Sequence, residues 1–214
     1  MSKKMMLRAL AVLGAVFLAL PAMVSAQEIH LEPAESFTLA SSGWETRTQA
    51  EPNPWCTGSA ATGKFDTGST TTGTVSFGFS NCHTFIFGIT TPCKSEGAAA
   101  GTIVSGGTFH LITISTGVPG FLLTTDPTVL VCGGISTSTR TGSLIGTITA
   151  PKCGESSKTL SLSFTATEST QNHPTYTGTN YDLVSKTAEG ENKTIAWVTN
   201  TSLTRANAGK LNCT

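Results

Sequence analysis

Between Gly73 and Ser80 the chain reads Gly-Thr-Val-Ser-Phe-Gly-Phe-Ser, so that Val75, Phe77 and Phe79 alternate with small residues. A period of two puts every second side chain on one face, as in a pleated strand with one buried side, and is incompatible with the 3.6-residue period of a helix. Lys158 to Thr165 repeats the pattern with Leu160, Leu162 and Phe164 inward. These six residues are the expected core. No helix-period stripe of useful length competes with them.

The rest of the chain is rich in threonine and serine, sparse in charge and punctuated by glycine, which favours strands over helices. Shorter strands are expected at 36–40, 55–60, 101–104, 108–115, 120–124, 128–132, 135–141, 143–149, 175–184 and 194–203. Gly133-Gly134, Thr141-Gly142 and Asp126-Pro127 between them read as turns. The expectation is an all-β, single-domain antiparallel sandwich or barrel-like fold of roughly a dozen short strands. Glycines that open Gly73-Thr74-Val75, Gly101-Thr102-Ile103 and Gly146-Thr147-Ile148 are unevenly spaced, so they mark strand entry and not a repeat.

The N-terminus has a separate logic. Lys3, Lys4 and Arg8 precede an apolar run from Ala9 to Leu20, followed by Pro21 and Val24-Ser25-Ala26. That is the order of a secretory signal peptide. The run is too short for the roughly 20 residues that cross a bilayer as a helix. Residues 1–26 are therefore expected to be a helical signal cleaved after Ala26. Residues 27–35, with Glu28, Glu32 and Glu35 around Pro33, read as a flexible leader, and 36–214 as the β domain. The expected location is secreted or at the cell surface, with no integral membrane segment in the mature chain. Three of thirteen basic residues and none of the thirteen acidic ones lie in the signal. The mature protein is weakly acidic and has no electrostatic footprint for nucleic acid. Three N-x-[ST] sites, at Asn192, Asn200 and Asn212, carry no expected glycans, because the short signal with paired lysines looks bacterial.

All six cysteines, Cys56, Cys82, Cys93, Cys132, Cys153 and Cys213, follow the signal. Outside the reducing cytosol they are expected as disulfides. Cys82 and Cys93 flank a short segment, which suggests that they pair, leaving Cys132 with Cys153 and Cys56 with Cys213. A competing geometry exists: a hairpin centred near Gly68-Ser69 sets Cys56 opposite Cys82 in the register that sets Phe65 opposite Gly73. No C-x-x-C or other paired short spacing supports a metal site, and no motif implies a cofactor.

Catalytic signals are weak. His30, His83, His110 and His173 are scattered, without H-E-x-x-H or a helical pair, and no G-x-S-x-G elbow is present. A Ser-His-Asp hydrolase would have to assemble from distant segments, with Asp66, Asp126 or Asp182 as third member. On a strand His110 shares a side with Ile112 and Ile114, and if that side is the core it is a hydrogen-bonded core histidine. Trp44, Trp55 and Trp197 lie outside the two clean strands. Exposed, they would make aromatic platforms for an environmental or cell-surface glycan; tryptophan is more often largely buried.

From Cys56 to Leu203 the order of motifs resembles a family of uncharacterised secreted β-rich proteins from soil actinobacteria. The residues that carry it are Cys56, Gly73-Thr74-Val75-Ser76-Phe77, Cys82, Cys93, Gly101-Thr102-Ile103, His110-Leu111 and Gly120-Phe121-Leu122-Leu123. It continues through Cys132, Gly142-Ser143-Leu144-Ile145-Gly146-Thr147-Ile148, Pro151-Lys152-Cys153-Gly154 and Lys158 to Phe164. The resemblance implies one exported β-rich domain and carries no catalytic or ligand residue, because no activity is attached to the family. The functional expectation is an exported noncatalytic protein acting at or outside the cell surface, with a carbohydrate-binding module and an extracellular hydrolase as alternatives.

Overall fold

The computed structural model describes residues 29–47, 53–167 and 170–213; the expected signal and its cleavage site lie outside them. The elements are β1 (Ile29–Glu32), β2 (Phe37–Ser41), β3 (Gly43–Arg47), β4 (Trp55–Phe65), β5 (Thr72–Ile86), β6 (Ile89–Ser95), β7 (Thr102–Ser115) and β8 (Val118–Cys132). Then come β9 (Ser136–Ala150), β10 (Ser156–Phe164), β11 (Ala166–Thr167), β12 (Thr170–Gln171), β13 (Thr175–Tyr176), β14 (Thr179–Asn180), β15 (Leu183–Thr187) and β16 (Gly190–Cys213). The protein is all-β, and its pairings are antiparallel throughout. Twelve strands form one sheet, while β11–β12 and β13–β14 are small separate hairpins.

The large sheet closes on itself, and it does so at two levels. In the lower half the pairing runs β2–β4–β5–β7–β8–β9–β10–β16 and back to β2. In the upper half it runs β3–β4–β5–β6–β8–β9–β15–β16 and back to β3. Five long strands serve both levels. The other three positions are each shared by two strands, one per level: β2 with β3, β7 with β6, and β10 with β15. The architecture is thus a barrel and not a pair of open sheets, and its edges are removed by closure. An eight-stranded section is about wide enough for side chains to fill.

Adjacent short strands of the expected pattern are single long ones. Residues 101–104 and 108–115 merge into β7, 120–124 and 128–132 into β8, and 135–141 and 143–149 into β9. Asp126-Pro127 and Thr141-Gly142 are therefore not turns, a correction to the sequence reading. Asp126-Pro127 is the site of a register shift within β8. Gly142, at φ 121°, lets β9 bend where a Cβ would collide with the Asp182 carbonyl. Gly107, Thr125 and Gly142 are in register across β7, β8 and β9, at the boundary between the two halves. Gly133-Gly134 is a true turn, with both residues at positive φ.

The expected core is inside. Val75, Phe79, Leu160, Leu162 and Phe164 are buried, and Phe77 packs against them partly covered. In the lower half Phe37, Phe65, Phe109, Phe121 and Phe164 form a chain of rings with centroids 5.1–6.4 Å apart. In the upper half a second apolar cluster that includes Phe79, Ile103 and Leu130 is joined by buried polar residues: Thr46, Thr84, Ser95, Ser138, Arg140, Ser185 and Thr194. Outward positions of β2, β4, β5, β7 and β8 carry exposed Thr38, Thr62, Thr74, Ser76, Thr108 and Thr124. An apolar inside under a hydroxyl-covered outside is the inverse of a membrane-spanning barrel.

Two expectations fail here for packing reasons. The segment read as a flexible leader contains β1, which pairs with Lys210–Cys213 and buries Ile29 and Leu31 almost completely. Its alternation, Ile29 and Leu31 inward, was hidden by the acidic residues around it. His110 is not a core residue: Phe109 and Leu111 face the lumen, and His110 is half-buried on the opposite side. Ile112, Leu122 and Ile145 on that outer side are covered by the excursion between β10 and β15, through Tyr176 and Tyr181.

Candidate functional site

The β5–β6 hairpin projects from the upper rim and turns through Phe87 and Gly88, at φ 50° and 80°. Two residues of positive φ make the connection that suits the twist of paired strands, and Asn, Asp or Gly normally occupy it. A phenylalanine there is strained by its Cβ. Its side chain finds no compensating burial, because Phe87 is 94% exposed. Phe85 and Ile89 flank it at 63% and 68%. Beside the hairpin, the β8–β9 turn presents Ile135, 69% exposed, and Gly133 of that turn lies against Thr91 and Ile86. Of the five large hydrophobic side chains exposed among the described residues, four belong to these two tips. No Asp, Glu, Lys or Arg occurs from His83 to Pro92 or from Cys132 to Thr139.

The base of this tip is covalently fixed. Cys82 on β5 is bonded to Cys56 on β4, and Cys93 on β6 to Cys132 on β8. Cys153 is bonded to Cys213, tying the β9–β10 loop to the end of β16. The pairings Cys82–Cys93, Cys132–Cys153 and Cys56–Cys213 are thereby corrected, and the hairpin register that set Cys56 opposite Cys82 is the right one. The register of His83 opposite Pro92 places Cys82 level with Cys93. The bonds nevertheless run outward, where Cα atoms stand 4.0 and 4.1 Å apart across the β4–β5 and β6–β8 pairs. At Cys82, β5 has already turned from β6, its amide donating to the Gly101 carbonyl.

The three tryptophans do not form one platform. Trp44 points into the barrel, its ring stacked on Phe79 at 4.6 Å, so it is not a surface residue for a glycan. Trp55 is half-buried on the outer flank of the tip, 5.1 Å from the Phe85 ring and 6.2 Å from His83. The Trp197 side chain lies outside the described residues.

The histidines stay apart. His30 Nδ1 meets Thr70 Oγ1 at 2.8 Å, His83 Nδ1 meets the Asn81 carbonyl at 2.9 Å, and His173 Nε2 meets Thr147 Oγ1 at 3.1 Å. Two of the three candidate aspartates are engaged elsewhere. Asp66 accepts from Thr72, and Asp182 pairs with Lys193 at 2.7 Å. Among the described residues no group of three His, Cys, Asp or Glu is placed to hold a metal.

A second feature is a cavity of about 90 Å³ within the barrel, lined from both halves. Its wall is mostly apolar, with Phe77, Phe79, Phe121 and Leu144, joined by Thr46, Thr201 and Arg140. Arg140 is buried and donates from Nη1 to Thr194 Oγ1 at 2.7 Å.

The tip was missed by sequence reading, although a signal was present. Phe85-Ile86-Phe87-Gly88-Ile89 is apolar on both alternating faces, and a strand has only one face to bury. No protein-family model matches the chain, and neither a curated protein nor a solved structure does.

Proposed function

We propose that this is an exported, noncatalytic protein of the actinobacterial β-rich type that works by docking its apolar double tip into a lipid surface at or outside the cell. The observation that carries the reading is Phe87: a bulky residue kept in a left-handed turn with 94% of its surface in water. Folding gains nothing from that placement. An apolar partner would.

The shape favours a soft partner. A narrow convex tip without charge presents Phe85, Phe87, Ile89 and Ile135, each contributing about 1.5–3 kcal/mol when fully removed from water. Trp55 and His83 stand behind them, where amphipathic rings meet the headgroup level of a bilayer. Three disulfides are consistent with an oxidising, extracytoplasmic setting. Among the described residues no helix is long and apolar enough to cross a membrane.

The test is co-sedimentation with phosphatidylcholine vesicles. The disulfide-bonded protein is expected to sediment with them with little dependence on salt, and F87S/I89S to stay in solution. No sedimentation, or sedimentation unchanged in F87S/I89S, overturns the reading. Retardation on a polysaccharide gel that is lost on Trp55→Ala supports instead the glycan alternative, for which the adjacent Trp55 and Phe85 rings are the motivating contact.

A further inference from the structure

We propose that the outer flank of the tip is a headgroup site for a quaternary ammonium, the choline of a phosphatidylcholine surface. The inference rests on the lipid reading of the tip and adds to it which headgroup is met. The register sets Glu45 of β3, Trp55 of β4 and His83 of β5 opposite one another in one row, and directly opposed residues share a face of the sheet. Trp44 and Thr84, adjacent to that row in sequence, point into the barrel, so the row faces out. Phe85, two residues past His83, joins it: the Trp55 ring lies 5.1 Å from Phe85 and 6.2 Å from His83. Phe85 is exposed while Trp55 and Glu45 are half-buried, so rings and carboxylate border one open surface.

Ring chemistry, charge and depth select that ligand. A quaternary ammonium is broad, weakly hydrated and held by aromatic rings, and Trp55 and Phe85 offer two in contact. Glu45 adds a negative charge beside them. No Lys or Arg occurs from His83 to Pro92 or from Cys132 to Thr139 to receive an anionic headgroup. Depth agrees with charge. His83 is four residues of strand from Phe87, a span of about 13 Å, whereas an interfacial apolar element enters a bilayer by only about 5–10 Å. With Phe87 at that depth, the row of Trp55 stands outside the hydrocarbon, in the polar layer of about 5–8 Å on each side of the bilayer.

The experiment is co-sedimentation of the disulfide-bonded protein with two bilayers of zero net charge, at mildly alkaline pH, where histidine is uncharged. One is phosphatidylcholine; the other is digalactosyl diacylglycerol, which has no ammonium. The ratio of the two affinities cancels the apolar contribution that both bilayers share. Phosphatidylcholine is expected to bind tighter by roughly two- to fivefold, the worth of one exposed cation–π contact. Trp55→Leu and Phe85→Leu each keep an apolar side chain and remove a ring. Each is expected to reduce the ratio, and W55L/F85L to bring it to parity, with binding to both bilayers retained through Phe87 and Ile89. Equal affinity of the unmodified protein for the two bilayers, tighter binding to the galactolipid, or a ratio unchanged in W55L/F85L overturns the headgroup site. The tip reading then still stands if F87S/I89S stays in solution. Sedimentation of F87S/I89S like the unmodified protein overturns the tip reading, and the headgroup site with it.

Discussion

The ring of Phe37 lies over Gly63, where a Cβ would overlap the ring carbons. The same relationship recurs between Phe109 and Gly73 and between Phe164 and Gly146. Each glycine is a hole in the barrel wall that an aromatic side chain from another strand fills. At position 73 a Cβ would also strike the Lys64 carbonyl, which cannot swing aside as a ring can. Gly63→Ala is expected to cost about 1–3 kcal/mol of stability through overpacking, and Gly73→Ala more; urea denaturation of the two variants checks the order.

Phe109 sits at the centre of the ring chain, 2% exposed and within 5.3 Å of the Phe37, Phe65 and Phe121 centroids. Phe109→Ala is expected to lose about 3–5 kcal/mol. Equal destabilisation by truncating exposed Phe85 would contradict this account of the core.

Phe87 should show the opposite sign. Asparagine tolerates left-handed backbone, so Phe87→Asn is expected to raise stability by about 1 kcal/mol, the lower end of the left-handed penalty. The same variant is expected to lose vesicle binding. Thermal unfolding and co-sedimentation of one preparation test both halves.

Glu35 accepts hydrogen bonds from the side chain of Asn207 at 2.7 Å and its backbone amide at 3.1 Å, which hold its carboxyl below the ordinary glutamate range, with help from Arg205 and Lys158. A depressed folded-state pKa stabilises above the unfolded value, and the contribution disappears as pH falls through the folded one. Asn207→Ala is expected to return the titration midpoint of Glu35, followed by carboxyl NMR, towards the ordinary range.

Peptide mapping without reduction is expected to recover Cys56 with Cys82, Cys93 with Cys132 and Cys153 with Cys213. Removing the second bond as C93S/C132S is expected to cost roughly 2–5 kcal/mol and to expose the hairpin to protease.

What sequence could reveal followed from local alternation. Val75, Phe79, Leu160, Leu162 and Phe164 declared their inward face because the residues between them are small or polar. Strand length was not legible, because the cue that ends a strand in an open sheet, glycine or Asp-Pro, marks a bend in a barrel. Gly142 and Asp126-Pro127 carry the same local chemistry in either case; only the register with β15 and β9 separates them. The disulfides depended on register too, so the reading that used hairpin register found Cys56–Cys82 and the one that used sequence proximity did not. The cavity hydroxyls were invisible: Thr46 and Thr201 differ from the solvent-facing threonines only in which way a distant strand turns them.

The paired bonds at the hairpin base set the mechanics of the tip. A hairpin held by hydrogen bonds alone unzips from its free end under tension, rung by rung, at low force. Here a pull on Phe87 passes along both arms to Cys82 and Cys93 and leaves them through covalent links into β4 and β8, which run from one level of the barrel to the other. The load is shared by the whole wall as shear, so under tension the tip should lose a docked partner before it comes loose from its own body.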